Sequence, residues 1–317
     1  MRLLPAAKAE ALLSEVRKVL QSYPFYYDHS DAVEIMGGDD EGLFGWVTIN
    51  YLRSSLHFPP ERTAAVLDLG GGSTQIALSV PPQQDSTVAL KRTSVMGQEH
   101  HMYVYSHLGY GLMAGRMGML ALGISDTDPR VQGKALFEHA CLHPAEEVQY
   151  EYGHLKVLAR GSTKSSFETC EEVAINLMRK PDGSFRRSSP QPTPRHGQPV
   201  FAMSYYFDRA IDAGLIGPAT LRAELTPRHY RDAAISICPL SPKEIPLRFQ
   251  QVKPERAPYL CMDLVFISAL LEEGFRLQRD TPLVLAKKLE FNGELVETAW
   301  SLGASLAEIS ETREQLV

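Results

Sequence analysis

Asparagine is scarce in this chain: Asn50, Asn176 and Asn292 are its only three. None begins an N-x-S/T sequon, so glycosylation leaves no trace of compartment. Long apolar runs are missing too, and no stretch reaches the length that spans a bilayer. Basic blocks are absent: 32 Lys and Arg stand against 38 Asp and Glu, for a net charge of −6. That balance excludes the basic stripe a nucleic-acid partner requires. Cysteine stops at four, Cys141, Cys170, Cys238 and Cys261, all in the final two thirds and none in a CxxC pair. A zinc site is therefore not expected, and two readings stay open: reduced core thiols, or two disulfides in an oxidising compartment. The opening "MRLLPAAKAEALLSEVRKVL" scatters charge through an amphipathic helix, so it is not a signal peptide, and none is expected in this chain.

What is present is ordinary in bulk and specific in places. With 317 residues, 44% of them apolar, the chain can bury two cores of normal size. Its most informative stretch is "AAVLDLGGGSTQIALSV", residues 64 to 80. Two apolar runs flank Gly70, Gly71 and Gly72, as in a β-hairpin. A hairpin needs one glycine; three strip every side chain from the turn and leave N–H groups that can approach an anion closely. Asp68 stands at the end of the first strand, where it can hold a divalent cation or its waters. Ser73 adds a hydroxyl. No Lys and no helix follow the glycines, so this is not a Walker loop; the plainer alternative is a tight Gly-rich turn.

Along the chain, Pro5 opens a helix to about Gln21, and Ala32 to Met36 reads as a strand. Asp39 and Asp40 start the helix "EGLFGWVTINYL". Ala89 to His107 favours strands, and Gly109 to Leu122 a helix. Further helices are expected at Cys170 to Lys180 and over "MSYYFDRAIDAGLI", "TLRAELTPRHYRDAAISI", "CMDLVFISALLEEGF" and "VETAWSLGASLAEI". Pro181 to Pro199 is the one loop dense in Pro, Ser and Gly. The sum is an α/β chain with a helix-rich second lobe and a ligand between lobes.

Three patterns belong to one chemistry: the loop from Asp68 to Gln75, the helix start at Glu41 with Trp46 and Asn50 beyond it, and "ETAWSLGA" with Trp300 and Gly303. Hydrolysis of a phosphoanhydride needs a cradle for phosphates, a divalent cation and a base that orients water. The glycine loop, Asp68 and Glu41 are the candidates for these roles.

The segments "DEGLFGWVTINYL", "LDLGGGSTQIAL", "YSHLGYGLMAGR", "FAMSYYFDRA", "YLCMDLVFISALL" and "VETAWSLGA" resemble, in order and over nearly the whole chain, the apyrase family of nucleoside triphosphate diphosphohydrolases. Within it they are most similar to the soluble lumenal nucleoside diphosphatases of the secretory pathway. The resemblance implies a two-lobed ribonuclease-H-like fold of the actin, Hsp70 and hexokinase superfamily, with nucleotide and Ca²⁺ or Mg²⁺ in the cleft. It implies removal of the terminal phosphate of diphosphates such as UDP and GDP, triphosphates less well. Glu41 then resembles the catalytic base, Asp68 the acid that orders cation-bound water, and Gly70, Gly71, Gly72 and Ser73 a phosphate loop. Gln75 resembles the partner of the nucleophilic water. Trp46 and Trp300 fall on tryptophans near the metal's water shell, with core packing as the alternative. Tyr205 and Tyr206 fall on base-side aromatics, again with a core role as the alternative. The cysteines match a paired pattern that implies Cys141–Cys170 and Cys238–Cys261 disulfides, and so an ER, Golgi or secreted location.

Two departures stand out. Where the family often carries a sequon, this chain reads "MGQEHHMYVYS". "MRLLP" resembles the residues just after an Ala-Thr-Ala-Gly motif that is absent here, as is the first phosphate loop. The chain is therefore expected to be N-terminally truncated: 1–106 the rest of a first lobe, 107–290 a second lobe, 291–317 a return to the first. With one phosphate clamp of two, weak turnover and aggregation are expected. Two other readings remain. An exopolyphosphatase-like phosphatase would prefer polyphosphate to UDP. A catalytically impaired nucleotide-binding protein would bind nucleotide without turnover and lose nothing on Glu41→Ala. No nucleic-acid partner is expected, and oligomeric state is not legible.

Overall fold

The computed structural model describes residues 1–24, 33–81, 90–179, 185, 192–241 and 243–315. Its centre is a seven-stranded mixed sheet built from β1 (Ala65–Leu69), β2 (Ser73–Ser79), β3 (Lys91–Val95), β4 (Gln98–Leu108), β8 (Val200–Ser204), β9 (Arg222–Leu225) and β10 (Leu283–Ala286). Their order is β3-β4-β2-β1-β8-β10-β9. From β3 to β1 the neighbours are antiparallel; β1, β8 and β10 run parallel, and β9 closes the far edge antiparallel. Strands from both sides of residue 106 thus share one sheet.

Helices cover both faces, as a mixed sheet of this size requires. On one face lie α2 (Gly38–Leu52) and α9 (Trp300–Gln315), packed over Val66, Ala77, Met102, Phe201, Met203 and Val284. Leu67, Leu69, Ile76, Leu78, Leu283 and Leu285 point the opposite way, into the larger core. That core is shared with α3 (Leu112–Leu120), α4 (Phe167–Met178), α5 (Tyr205–Asp212), α6 (Pro227–Ile237) and α8 (Leu260–Ala269). The short α7 (Ile245–Arg248) and a wide π turn at Leu270–Gly274 belong to the same layer. α1 (Ala6–Gln21) lies outside, with Ala9 its one buried residue. A three-stranded sheet, β5 (Gln132–His139), β6 (Glu147–Tyr152) and β7 (Leu155–Gly161), in the order β5-β7-β6, flanks α3; a hairpin, β11 (Lys288–Phe291) and β12 (Glu294–Glu297), leads into α9.

Two polar devices fix these layers. Asn50 on α2 donates to the carbonyls of Trp46 and Ala64 and accepts from the Ala64 amide at 2.7 Å, so the helix is locked to the entry of β1. In the larger core Arg116 of α3 grips Asp263 of α8 through two 2.6 Å bonds, and Arg209 of α5 reaches the same carboxylate at 3.2 Å. Paired and hydrogen-bonded, these charges hold three helices in fixed relation; removing one would strand the others in a dry interior.

Several expectations hold: α1, α2, the hairpin at 64–80, the strands up to His107 and the helices α3 to α6, α8 and α9. Both disulfides form, Cys141–Cys170 and Cys238–Cys261. Two expectations do not. Residues 33–36 form no strand: they pair with none of the described residues, and the Val33 carbonyl accepts from Arg17 instead. (Ala32 lies outside the described residues, as does most of the Pro181–Pro199 loop.) The helical reading of "TLRAEL" fails because Pro227 sits at the first helical position behind Thr226, so α6 starts there. The residues ahead of it pair with β10 as β9.

Candidate active site

The ladder lines up the chemistry. Asp68 on β1 is the register partner of Gln75 on β2, and Gln75 is that of Ser106 on β4. Directly opposed residues share a face, so all three side chains point toward α2. Ser73, two residues before Gln75, joins them. Glu41 lies in the first turn of α2 with Asp39 and Asp40, where acidic side chains suit the helix dipole. Gly42 permits the close approach: a Cβ there would sit 3.1 Å from that of Gln75.

The Gln75 amide nitrogen is the hub. It lies 3.0 Å from Glu41 Oε2, 2.8 Å from Ser73 Oγ and 3.1 Å from Ser106 Oγ. Arg2, from the segment ahead of α1, enters the same cluster. It is ion-paired with Glu41 and donates to Ser73 Oγ at 3.0 Å and Ser106 Oγ at 3.3 Å. Gly38 makes room for it, since a Cβ there would stand 2.0 Å from the guanidinium.

The glycine loop is held from behind. Carbonyls of Gly70, Gly71 and Gly72 accept from the amides of Leu112, Met113, Ala114 and Gly109 at 2.8–3.0 Å. Those bonds consume the N-terminus of α3. Gly111 must be glycine, because a Cβ would lie 2.4–2.6 Å from loop backbone. The amides of Gly71 and Gly72 make no backbone bond among the described residues, and the three glycines are half-buried rather than roofed over. Unpaired N–H groups in an open bend are what an anion-binding nest presents. Tyr152, at the end of β6, puts its hydroxyl 3.0 Å from where a Gly72 Cβ would be.

Asp68 is 8% exposed, and its Oδ1 has no partner among the described residues. Burial pushes its carboxyl up to about 6; the Ser204 side chain opposes this and the charge of Glu41 adds to it. A buried carboxylate with an unpartnered oxygen, beside half-exposed backbone, fits one side of a hard-cation site. Among the described residues no group of three or more His, Cys, Asp or Glu could hold a metal ion.

The remaining expected residues divide. Trp46 is fully buried, its ring edge-on to His100 at 4.9 Å, so its surroundings are those of a packing residue. Trp300 is 37% exposed at the start of α9. That helix crosses α2 closely: a Cβ on Gly303 would lie 2.0 Å from the Phe44 carbonyl, and Gly303 N donates to Thr48 Oγ1 at 2.8 Å. Tyr206 is buried, with burial raising its hydroxyl, whereas Tyr205 is half-exposed with Arg209 over its ring. Sequence reasoning missed Arg2, Ser106 and Ser204. Ser106 had a signal, since pairing the run before His107 with the Gly hairpin sets it opposite Gln75; Arg2 had none.

Comparison with known proteins decides the lineage. Residues 1–316 match the GDA1/CD39 (nucleoside phosphatase) family. The chain belongs to it. Nucleoside diphosphate phosphatase ENTPD5 of Homo sapiens is 33% identical over 317 residues, covering 96% of this chain and 67% of the relative. Probable apyrase 1 of Oryza sativa subsp. japonica is 32% identical, covering 96% and 64%. Ectonucleoside triphosphate diphosphohydrolase 6 of Homo sapiens is 34% identical, covering 96% and 59%. The chain thus spans about two thirds of the length of these GDA1/CD39 relatives. A solved structure, of nucleoside triphosphate hydrolases from Neospora caninum, superposes with a TM-score of 0.69 at 14% identity, over 99% of this chain and 71% of that one. At that identity it shows the fold.

Proposed function

We propose that this chain carries the site for hydrolysis of the terminal phosphate of nucleotides, nucleoside diphosphates such as UDP and GDP before triphosphates. One observation carries the reading: the Gln75 amide joins the Glu41 carboxylate to Ser73 of the glycine loop. In this arrangement the amides of Gly71 and Gly72 and the Ser73 hydroxyl hold the terminal phosphoryl group. Gln75 positions a water between that group and Glu41. The water oxygen attacks phosphorus, the bond to the leaving phosphate breaks, and Glu41 takes the proton. Arg2 supplies positive charge where negative charge develops on the phosphoryl oxygens.

Asp68 is the residue that would hold Ca²⁺ or Mg²⁺ through its unpartnered oxygen or through water. Such a cation, when bound, neutralises phosphate charge. The proposed location of Trp300 is the rim of that water shell; for Trp46 we propose packing of α2. Tyr205 is the proposed base-side aromatic. Two buried disulfides favour an oxidising compartment, in the secretory pathway or outside the cell. Among the described residues no helix is long and apolar enough to cross a membrane.

Phosphate release from UDP, GDP, UTP and polyphosphate, each with Ca²⁺ or Mg²⁺, tests the reading. Preference for diphosphates is expected. Consumption of polyphosphate with nucleotides untouched would replace it with the exopolyphosphatase reading, and tight nucleotide binding without release with the impaired one.

A further inference from the structure

We propose that Tyr152 is a substrate-contacting residue of the same site, its hydroxyl donating to the phosphoryl group seated on the glycine loop. The inference rests on the phosphate-binding role given to that loop above. It adds a donor from a different sheet: the loop joins β1 to β2 of the central sheet, whereas Tyr152 ends β6 of the three-stranded one.

The placement of Tyr152 is built, not incidental. Val148, Tyr150 and Tyr152 alternate along β6 with the exposed Gln149 and Glu151, so these three share the inner face of the strand. Tyr150 is the anchor. Its hydroxyl donates to the Met113 carbonyl at 2.8 Å, and the Met113 amide donates in turn to the Gly71 carbonyl at 2.9 Å. One residue of α3 thus ties β6 to the glycine loop. Two residues beyond this anchor, Tyr152 stands opposite Leu155 in the last pair of the β6–β7 hairpin. Gly153, at φ 65°, turns the chain directly after it.

The hydroxyl arrives 3.0 Å from the point that a Cβ on Gly72 would occupy. The missing Cβ is what leaves space between the loop and the hydroxyl. Leu3 is the other side chain within 4 Å of that point, and it is apolar. The Tyr152 ring packs against the larger core, a task that phenylalanine would perform as well. Its hydroxyl makes no hydrogen bond to any described residue, and the side chain is half-exposed. Burial, with Tyr205 adding to it, raises the hydroxyl above its ordinary value of 10, so at neutral pH it keeps its proton and can donate. An oxygen that accepts from the free Gly72 amide comes beneath this hydroxyl, and a hydrogen bond to a charged oxygen is of the strong kind.

Tyr152→Phe removes the hydroxyl and keeps the ring. The readouts are Tm, kcat/KM for UDP and GDP, and the affinity for both nucleotides by calorimetry. Tm should stay within about 2 °C of the parent. Turnover should fall about tenfold to hundredfold in kcat/KM, by the same factor for UDP and GDP, because the contact is with phosphate. Affinity for both nucleotides should fall together as well, and this reads out the contact even where turnover is slow. A loss confined to one of the two bases would assign Tyr152 to the base and overturn the inference. Parent-like kcat/KM and affinity in Tyr152→Phe, beside an inactive Glu41→Gln, overturn it while leaving the site reading intact. A parent chain that neither binds UDP nor releases phosphate from it overturns the site reading, and this inference with it.

Discussion

The guanidinium of Arg2 lies on the carboxylate of Glu41 and bridges it to Ser73 at 3.0 Å. A cation on the proposed base would be counterproductive if the base had to be strong. Phosphoryl transfer asks less of it: the transition state is loose, and positioning and charge outweigh proton abstraction. Arg2→Ala should therefore lower kcat/KM for UDP about tenfold to hundredfold, and Arg2→Lys should recover part of the loss. An Arg2→Ala variant faster than the parent would show that Arg2 blocks the site.

Asp68 makes stability depend on pH with a definite sign. Its carboxyl is raised from 3.8 to about 6 in the fold. Between those values the folded chain holds a proton that the unfolded chain releases. The contribution to stability is therefore fully present below about pH 4 and lost as pH rises through 6, on the order of 3 kcal/mol. Asp68→Asn should flatten this limb in urea titrations across pH 4 to 7.5 and make the metal-free protein more stable at pH 7.5. An unchanged pH profile in the variant would contradict the assignment.

Acid acts oppositely on His107. Its ring is stacked 4.0 Å from Phe185, neither nitrogen has a partner among the described residues, and burial lowers it from 6.5 to about 3. The unfolded chain takes up a proton below 6.5 that the folded ring refuses until about 3. Stability should fall through that window by up to about 1.4 kcal/mol per pH unit. His107→Phe keeps the stack and removes the titration, so Tm at pH 4.5 should rise relative to the parent while Tm at pH 7.5 changes little.

The disulfides close loops of 29 and 23 residues, Cys141–Cys170 and Cys238–Cys261. Loop entropy gives each about 3–4 kcal/mol. Cys238→Ala/Cys261→Ala should lower stability by about that amount and loosen α6 against α8. Chemical denaturation of the double variant, without and with reductant, measures both contributions.

The sequence was readable where local chemistry forces local geometry. Three consecutive glycines after Asp68 can do little except turn a hairpin, and the acidic start of α2 announces a helix. Both bring residues to the candidate cluster, so that part of its geometry was visible. Side chains brought in from far along the chain were not. Arg2 reaches Glu41 because Gly38 lacks a Cβ, which no pattern within "MRLLP" announces. Trp46 is fully buried, and a tryptophan in a helix gives the same signal whether buried or lining a cleft. Ser204 turns β8 into α5 in one residue at φ 61°, and serine carries no mark of positive φ. The strand β9 was masked by helical spacing in "TLRAEL"; Pro227 was the cue that the helix begins later.

Single-turnover release of phosphate from UDP by Glu41→Gln, set beside the parent chain under one cation concentration, probes the base directly. A drop of about a thousandfold or more, with nucleotide affinity kept within about threefold, is what a water-activating carboxylate over the glycine bend produces. A variant that releases phosphate at the parent rate would contradict it.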